Sequence, residues 1–129
     1  MIQTRLSIMM FLQFFIWGAF FVPMGGYLGK IFVSYKGELN SIIGNTYATQ
    51  TWAALFAPLI VGFVADRLFN KERVNGILHL LGGGLLLWCS SITDSPTEFF
   101  WAMMAFFLCY MPTLALVNAI TFQNVSSIE

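Results

Sequence analysis

The chain has 129 residues, of which 58% are apolar and 17% aromatic, and its mean hydropathy is +0.77. Only 9% of the residues are charged and the net charge is zero, whereas an ordinary soluble domain has about 25% charged residues. This composition excludes an ordinary soluble domain and a disordered chain. It also excludes a nucleic-acid-binding protein, because the chain has no excess of basic residues.

The charged residues are clustered and leave long neutral stretches between them. These stretches contain 24, 27, 20 and 30 residues and lie between Arg5 and Lys30, Glu38 and Asp66, Arg73 and Asp94, and Glu98 and Glu129. A helix needs about 20 apolar residues to cross a bilayer, and within lipid its backbone must satisfy its own hydrogen bonds. The sequence therefore predicts an all-α membrane protein with four transmembrane helices, at about 6–28, 41–65, 74–93 and 98–121.

The first predicted helix carries an amide and several aromatic rings on one stripe. At helical spacing this stripe contains Gln13, Trp17, Phe20, Met24 and Tyr27. Rings stack and amides form hydrogen bonds, so the stripe is suited to lining a cavity for a flat, polar solute. The alternative is that it packs on neighbouring helices. Gln13 is the most informative member because a buried amide needs a partner, and we predict that Gln13 and Trp17 face a substrate path.

Small residues indicate where the predicted helices pack against one another. Gly25 and Gly29 form a GxxxG pair in the first helix, and such pairs allow close approach of helices in lipid. The second helix has a face of small residues and proline, followed by an acid, at steps of four: Ala54, Pro58, Gly62 and Asp66. These faces predict a tightly packed bundle, and hinges for movement are the alternative interpretation.

His79, the single histidine, lies in the third predicted helix. It could carry a coupling proton, and the alternative is an ordinary hydrogen bond to a neighbouring helix. No Asp, Glu, Lys or Arg lies in the middle of any predicted span. Cys89 and Cys109 lie at different depths, which argues against a disulfide, and their surroundings contain no metal-binding pattern. We therefore predict no metal and no cofactor.

Basic residues predict the orientation in the membrane. Arg5 and the cluster of Arg67, Lys71 and Arg73 lie on one side, whereas Lys30 and Lys36 lie on the other. Because basic residues are concentrated in cytoplasmic segments, the sequence predicts an integral protein of the cell inner membrane with its N-terminus in the cytoplasm.

The segment after the second helix has the pattern of a known loop. It reads Gly62, three residues, Asp66, Arg67, and then further basic residues at Lys71 and Arg73. This resembles the signature loop of the major facilitator superfamily, although Phe69 and Asn70 stand where that pattern usually has a glycine and a basic residue. By this resemblance Gly62, Asp66, Arg67 and Lys71 are gating residues.

Further segments narrow the resemblance to one family. They are Phe11 to Gly18, Gly26-Tyr27, Ala54 to Pro58 running into Gly62, and Tyr110 to Leu114 with Asn118. Together they resemble the nucleoside–proton symporter family of that superfamily. The resemblance implies twelve helices, alternating access, a nucleoside substrate and protons as the coupling ion. The chain would then be an N-terminal portion of such a transporter, with the lipid bilayer and the remaining helices as partners.

Two other interpretations stay open. A self-contained four-helix protein could act as an oligomeric exporter or channel, although a channel would need a polar pore stripe or a ring of charge. A non-transporting membrane subunit could pack against partners through its glycine faces. None of the three interpretations involves covalent chemistry, so we predict that the protein is not an enzyme.

Overall fold

A computed structural model describes residues 2–65 and 70–125, with the side chains of residues 63–65 outside the description. It contains four helices, α1 (Ile2–Ile31), α2 (Leu39–Ala65), α3 (Lys71–Ser91) and α4 (Pro96–Val125). The predicted all-α class with four helices is confirmed. Within the described residues, α1, α3 and α4 are long and apolar enough to cross a membrane. The second predicted span, 41–65, includes residues 63–65, whose side chains lie outside the description, so this span stays a prediction.

The helix ends differ from the predicted spans by a few residues, because a helix can continue beyond the apolar core into water. Thus α1 includes Arg5 and Lys30. The connection from α3 to α4 is set locally: Ile92 is extended (φ −89°, ψ 109°), and Ser95 accepts a hydrogen bond from the Glu98 N–H at 3.3 Å. Pro96 begins α4. A capping serine, a first-turn proline and an acid three residues after the serine are a strong helix start.

Helix α4 is the centre of the bundle. It packs against each of the other helices, whereas the backbones of α1 and α3 do not come into contact in the described part of the chain. On the α1 side, the Phe20 ring meets Phe106 edge-on at 4.9 Å. On the α2 side, the buried residues Ala53 and Ala57 are small, which permits close approach of the two helices. Most of the apolar core therefore lies along α4.

Helix α1 is joined to α2 through the hydroxyl of Tyr47. This hydroxyl accepts a hydrogen bond from the Gly25 N–H at 2.9 Å and donates one to the Phe21 carbonyl at 3.0 Å. In a regular helix those two backbone groups are partners of each other, and they lie on either side of Pro23, which has no N–H of its own. The tyrosine thus supports the backbone of α1 at its proline.

The two faces of small residues are only partly used for packing inside this chain. A Cβ added at Gly25 would lie 3.3 Å from the Tyr47 hydroxyl, but one added at Gly29 would meet nothing within 4 Å. Ala54, Pro58 and Gly62 on α2 are all exposed. Within the described residues, the GxxxG pair therefore acts as a contact only at its first glycine, which meets Tyr47.

Candidate functional site

Gln13 is held in a hydrogen-bonded junction between α1 and α4. Its side chain is 2% exposed, and its Nε2 donates to the Thr113 Oγ1 at 2.8 Å. The Thr113 hydroxyl donates its single proton to the Tyr110 carbonyl at 2.6 Å. Since the hydroxyl oxygen can then only accept, the amide must present its N–H to it. The Tyr110 hydroxyl completes the junction by donating to the backbone carbonyl of Gln13.

Trp17 lies one turn along α1 from Gln13 and is half-buried. Its ring contacts two neighbours on its own helix, Phe14 at 6.4 Å and Phe21 at 5.8 Å between centroids. The indole Nε1 is buried and has no hydrogen-bond partner among the described residues. An unpaired buried donor costs about 1–3 kcal/mol, so Trp17 retains an unsatisfied capacity to donate a hydrogen bond. The other residues of the stripe have different surroundings: Met24 is buried, Phe20 packs on α4, and Tyr27 is exposed.

His79 borders a groove of about 380 Å³ between α1 and α3, together with Arg5, Gln13 and Asn75. Its Nδ1 lies 2.9 Å from the Asn75 carbonyl. A carbonyl can only accept, so Nδ1 donates the proton in this contact. The ring also meets Tyr110 edge-on at 6.2 Å. The structure thus brings His79 close to the junction that holds Gln13.

The residues predicted to form the gating motif are only partly described. Gly62 is exposed, and a Cβ added there would meet nothing within 4 Å. Lys71 is the first residue of α3 and half-buried. Asp66 and Arg67 lie outside the described residues. Because Arg5 and Asn75 share one groove, the start of α1 and the start of α3 lie at the same end of the bundle.

A cavity of about 630 Å³ lies between α2 and α4, at the opposite end of the bundle from Arg5. The residues that line it include Glu38, Asn45, Trp52, Asp94, Thr97 and Phe100. Asn45 and Trp52 share a helical face that is visible in the sequence. Glu38 and Asp94 could not be assigned to a site in that way. They lie in the loops outside the helices, and the sequence shows them only as charges at the ends of the predicted spans. We call this the α2–α4 cavity.

One hydrogen bond joins two loops beside the cavity. The Tyr35 hydroxyl, from the loop after α1, donates to the backbone carbonyl of Asp94 at 3.0 Å. Below the cavity, Trp52 and Phe100 also line a second, apolar pocket of about 390 Å³. The cavity, which polar residues partly line, is therefore continuous with an aromatic surface between α2 and α4.

Comparison with known proteins identifies the family. All 129 residues match the model of a family described as nucleoside H+ symporter. Three similar proteins come from Escherichia coli (strain K12). YegT, whose name provisionally assigns it nucleoside transport, is 41% identical over 98% of this chain and 28% of its own length. The xanthosine permease is 35% identical over 95% of this chain and 28% of its own length. The nucleoside permease NupG is 32% identical over 98% of this chain and 29% of its own length.

The chain thus spans less than a third of the length of these curated relatives, which are transport proteins by name and not enzymes. No solved structure gives a significant match. The family match covers the junction, the α1–α3 groove and the α2–α4 cavity together, since it runs from residue 1 to residue 129. This chain therefore belongs to the nucleoside H+ symporter family.

Proposed function

We propose that the chain supplies four membrane helices to a proton-coupled nucleoside importer that works by alternating access within a twelve-helix major facilitator fold. The observation that carries this proposal is the match of all 129 residues to the nucleoside H+ symporter family. The long apolar helices support it, because they suit a membrane carrier. In this proposal the nucleoside is the substrate, H+ is the coupling ion, and the bilayer and further helices are the partners.

We propose that the protein lies in the cell inner membrane with its N-terminus in the cytoplasm. The arrangement of the described charges supports it: Arg5 and the start of α3 lie at one end of the bundle, and the Tyr35 to Asp94 bond lies at the other. Basic residues favour the cytoplasmic side. Reporter fusions after Lys36 and after Lys71 test the assignment, which requires alkaline phosphatase activity only at Lys36.

Particular residues have proposed roles in the transport cycle. Gln13 and Trp17 border the substrate path, and the unpaired indole donor of Trp17 supports that role. His79 handles a proton, a role that an imidazole ring can fill and that its place beside the Gln13 junction supports. Gly62, Asp66, Arg67 and Lys71 control the conformational change, a role supported by the resemblance of their spacing to the gating loop of the superfamily.

Uptake of radiolabelled nucleoside tests the proposed function. A strain without its own nucleoside transporters is made to express the 129-residue chain or the longest reading frame that contains it. We expect the reading frame to support uptake that collapses when a protonophore removes the proton gradient. Uptake that ignores the gradient would contradict proton coupling, and no uptake of any nucleoside would contradict the proposed function.

The gating role has a separate test in the same strain. Asp66→Asn should lower uptake at least tenfold while the amount of protein in the membrane stays unchanged. Glu72→Gln is the matched control, since Glu72 is an exposed acid in the first turn of α3. Wild-type uptake by Asp66→Asn would refute the gating role.

A further inference from the structure

The α1–α3 groove has a positive charge at one end. The backbones of α1 and α3 do not contact each other within the described residues, and the groove between them measures about 380 Å³. Arg5 lines the groove and is exposed, and the described residues that line it include no acid. Glu72, in the first turn of α3, is exposed and does not line the groove. The groove therefore offers a cation to an anionic ligand.

Contacts through Tyr110 fix the relative depth of the two walls. The Tyr110 hydroxyl donates to the Gln13 carbonyl, and the Tyr110 ring meets His79 at 6.2 Å, so Gln13 and His79 lie at a similar depth. Arg5 precedes Gln13 by eight residues, which is about 12 Å along α1. Lys71 precedes His79 by the same distance along α3. The two basic residues therefore lie at the same level, where the groove begins.

Beyond Arg5, the α1 wall of the groove is an apolar row. Ile8, Leu12 and Ile16 line the groove at steps of four residues, and Ile8 and Leu12 are 53% and 48% exposed. The distance along the helix from Arg5 to Ile16 is about 16 Å, and one leaflet of a bilayer core is about 15 Å deep. A phospholipid has this layout, with a phosphate at the membrane surface and an acyl chain that reaches the middle of the bilayer. A transmembrane helix would need about twice this length.

The α3 wall offers a polar group and free space. Asn75 and Gly76 both line the groove. The buried amide oxygen of Asn75 has no hydrogen-bond partner among the described residues, and an asparagine amide also has two N–H donors, which suit a phosphate oxygen. A Cβ added at Gly76 would meet nothing within 4 Å. The backbone of α3 therefore leaves room for an acyl chain beside the apolar row.

We propose that the α1–α3 groove binds one anionic phospholipid from the leaflet next to Arg5. The phosphate lies between Arg5 and Asn75, and an acyl chain lies along the apolar row of α1. Lys71 adds positive charge at the same level. Basic pockets between transmembrane helices bind anionic head groups through the same charge complementarity. This site holds a component of the membrane, so it does not depend on which solute the protein transports.

Native mass spectrometry of the full chain in detergent tests the site by measuring how much lipid each chain retains. The probes are dioleoylphosphatidylglycerol and dioleoylphosphatidylcholine, which share their acyl chains and differ in net charge. We expect one molecule of the glycerol lipid to bind about fivefold more tightly than the choline lipid, since a basic residue near the membrane surface contributes about 1 kcal/mol. Equal retention of the two lipids would overturn the proposal.

A matched pair of charge variants separates the groove from general attraction to the membrane surface. Arg5→Gln should weaken retention of the glycerol lipid about fivefold. Arg73→Gln is the control and should weaken it less than about twofold. Arg73 is an exposed basic residue at the same end of the bundle, but it precedes Asn75 by two residues and so lies on another face of α3. It does not line the groove. Equal losses in the two variants would overturn the assignment.

A second pair of variants tests the place of the acyl chain. Gly76→Leu puts a side chain into the groove and should weaken retention of both lipids at least fivefold. Gly84→Leu is the control, because a Cβ at Gly84 also meets nothing within 4 Å and Gly84 does not line the groove. Unchanged retention in Gly76→Leu would overturn the proposal.

The protein made from the longest reading frame tests the rival occupant, which is a further helix of the transporter. We expect this protein to retain the same glycerol lipid with the same dependence on Arg5. Retention by the 129-residue chain that is lost in the longer protein would overturn the proposal, because another helix would then cover the groove.

Discussion

Replacing Thr113 with valine should destabilise the bundle by breaking the Gln13 junction. Valine has nearly the same shape but cannot accept the amide N–H of Gln13, which is 2% exposed and would be left without its partner. An unpaired buried donor costs about 1–3 kcal/mol, whereas hydrogen bonds between helices in membrane proteins average about 0.6 and reach about 1.7 kcal/mol. The side chains of Gln13 and Thr113 are both buried. We therefore expect the free energy of unfolding to fall by about 1.4 kcal/mol, near the upper end of the range for hydrogen bonds between membrane helices, which is tenfold in the unfolding equilibrium.

A double-mutant cycle isolates the contact itself. Gln13→Leu removes the amide, so the double variant with Thr113→Val leaves no unpaired polar group and should be more stable than Thr113→Val alone. The coupling free energy should be about 1 kcal/mol. Reversible unfolding in mixed detergent micelles, followed by circular dichroism, measures each variant.

Thr121→Val is the control for the loss of a hydroxyl. The Thr121 hydroxyl donates only to the Val117 carbonyl of its own helix, at 2.8 Å, so its removal should cost less than about 0.5 kcal/mol. The reasoning is refuted if Thr113→Val and Thr121→Val destabilise equally, or if the effects of Gln13→Leu and Thr113→Val simply add.

Three further predictions concern the packing of the helices. Tyr47→Phe should lower the free energy of unfolding by about 1 kcal/mol and speed hydrogen exchange at the Gly25 amide, which the hydroxyl holds; unchanged exchange would contradict this. Gly25→Ala should cost about 1 kcal/mol because its Cβ would meet Tyr47 at 3.3 Å, whereas Gly29→Ala, in open space, should be neutral or stabilising by up to about 1 kcal/mol, as thermal unfolding in detergent will show. Phe107→Ala, at a fully buried ring, should cost about 3 kcal/mol or more, and Phe122→Ala, at a ring 74% exposed, less than about 0.5 kcal/mol; similar losses would show that α4 is not the core.

The helices could be predicted from the sequence because the bilayer imposes their length. The neutral stretches bounded by charged residues needed only to be compared with the thickness of a membrane. Such lengths depend only on the order of residues along the chain, so a single sequence contains them. The structure begins α4 at Pro96, two residues before the predicted position 98, directly after the capping Ser95.

The partners across helices could not be predicted, because they depend on how each helix is rotated and tilted. Gln13 was expected to need a hydrogen-bond partner, but nothing in the sequence selects Thr113, 100 residues away. In the same way, the GxxxG spacing does not reveal that Tyr47 meets Gly25 and that Gly29 meets nothing. At the α2–α4 cavity, Asn45 and Trp52 lie two helical turns apart on α2, but the residues of other segments join them only through the fold.

The junction between α1 and α4 has a consequence for synthesis of the protein. Gln13 is made early, but Thr113 follows it by 100 residues, which takes about 5–20 s at a translation rate of about 5–20 residues per second. During that interval the amide of α1 must rely on water, lipid head groups or the insertion machinery. The first helix can therefore enter the membrane early, but it can form its native contact with the fourth helix only after that helix has been translated.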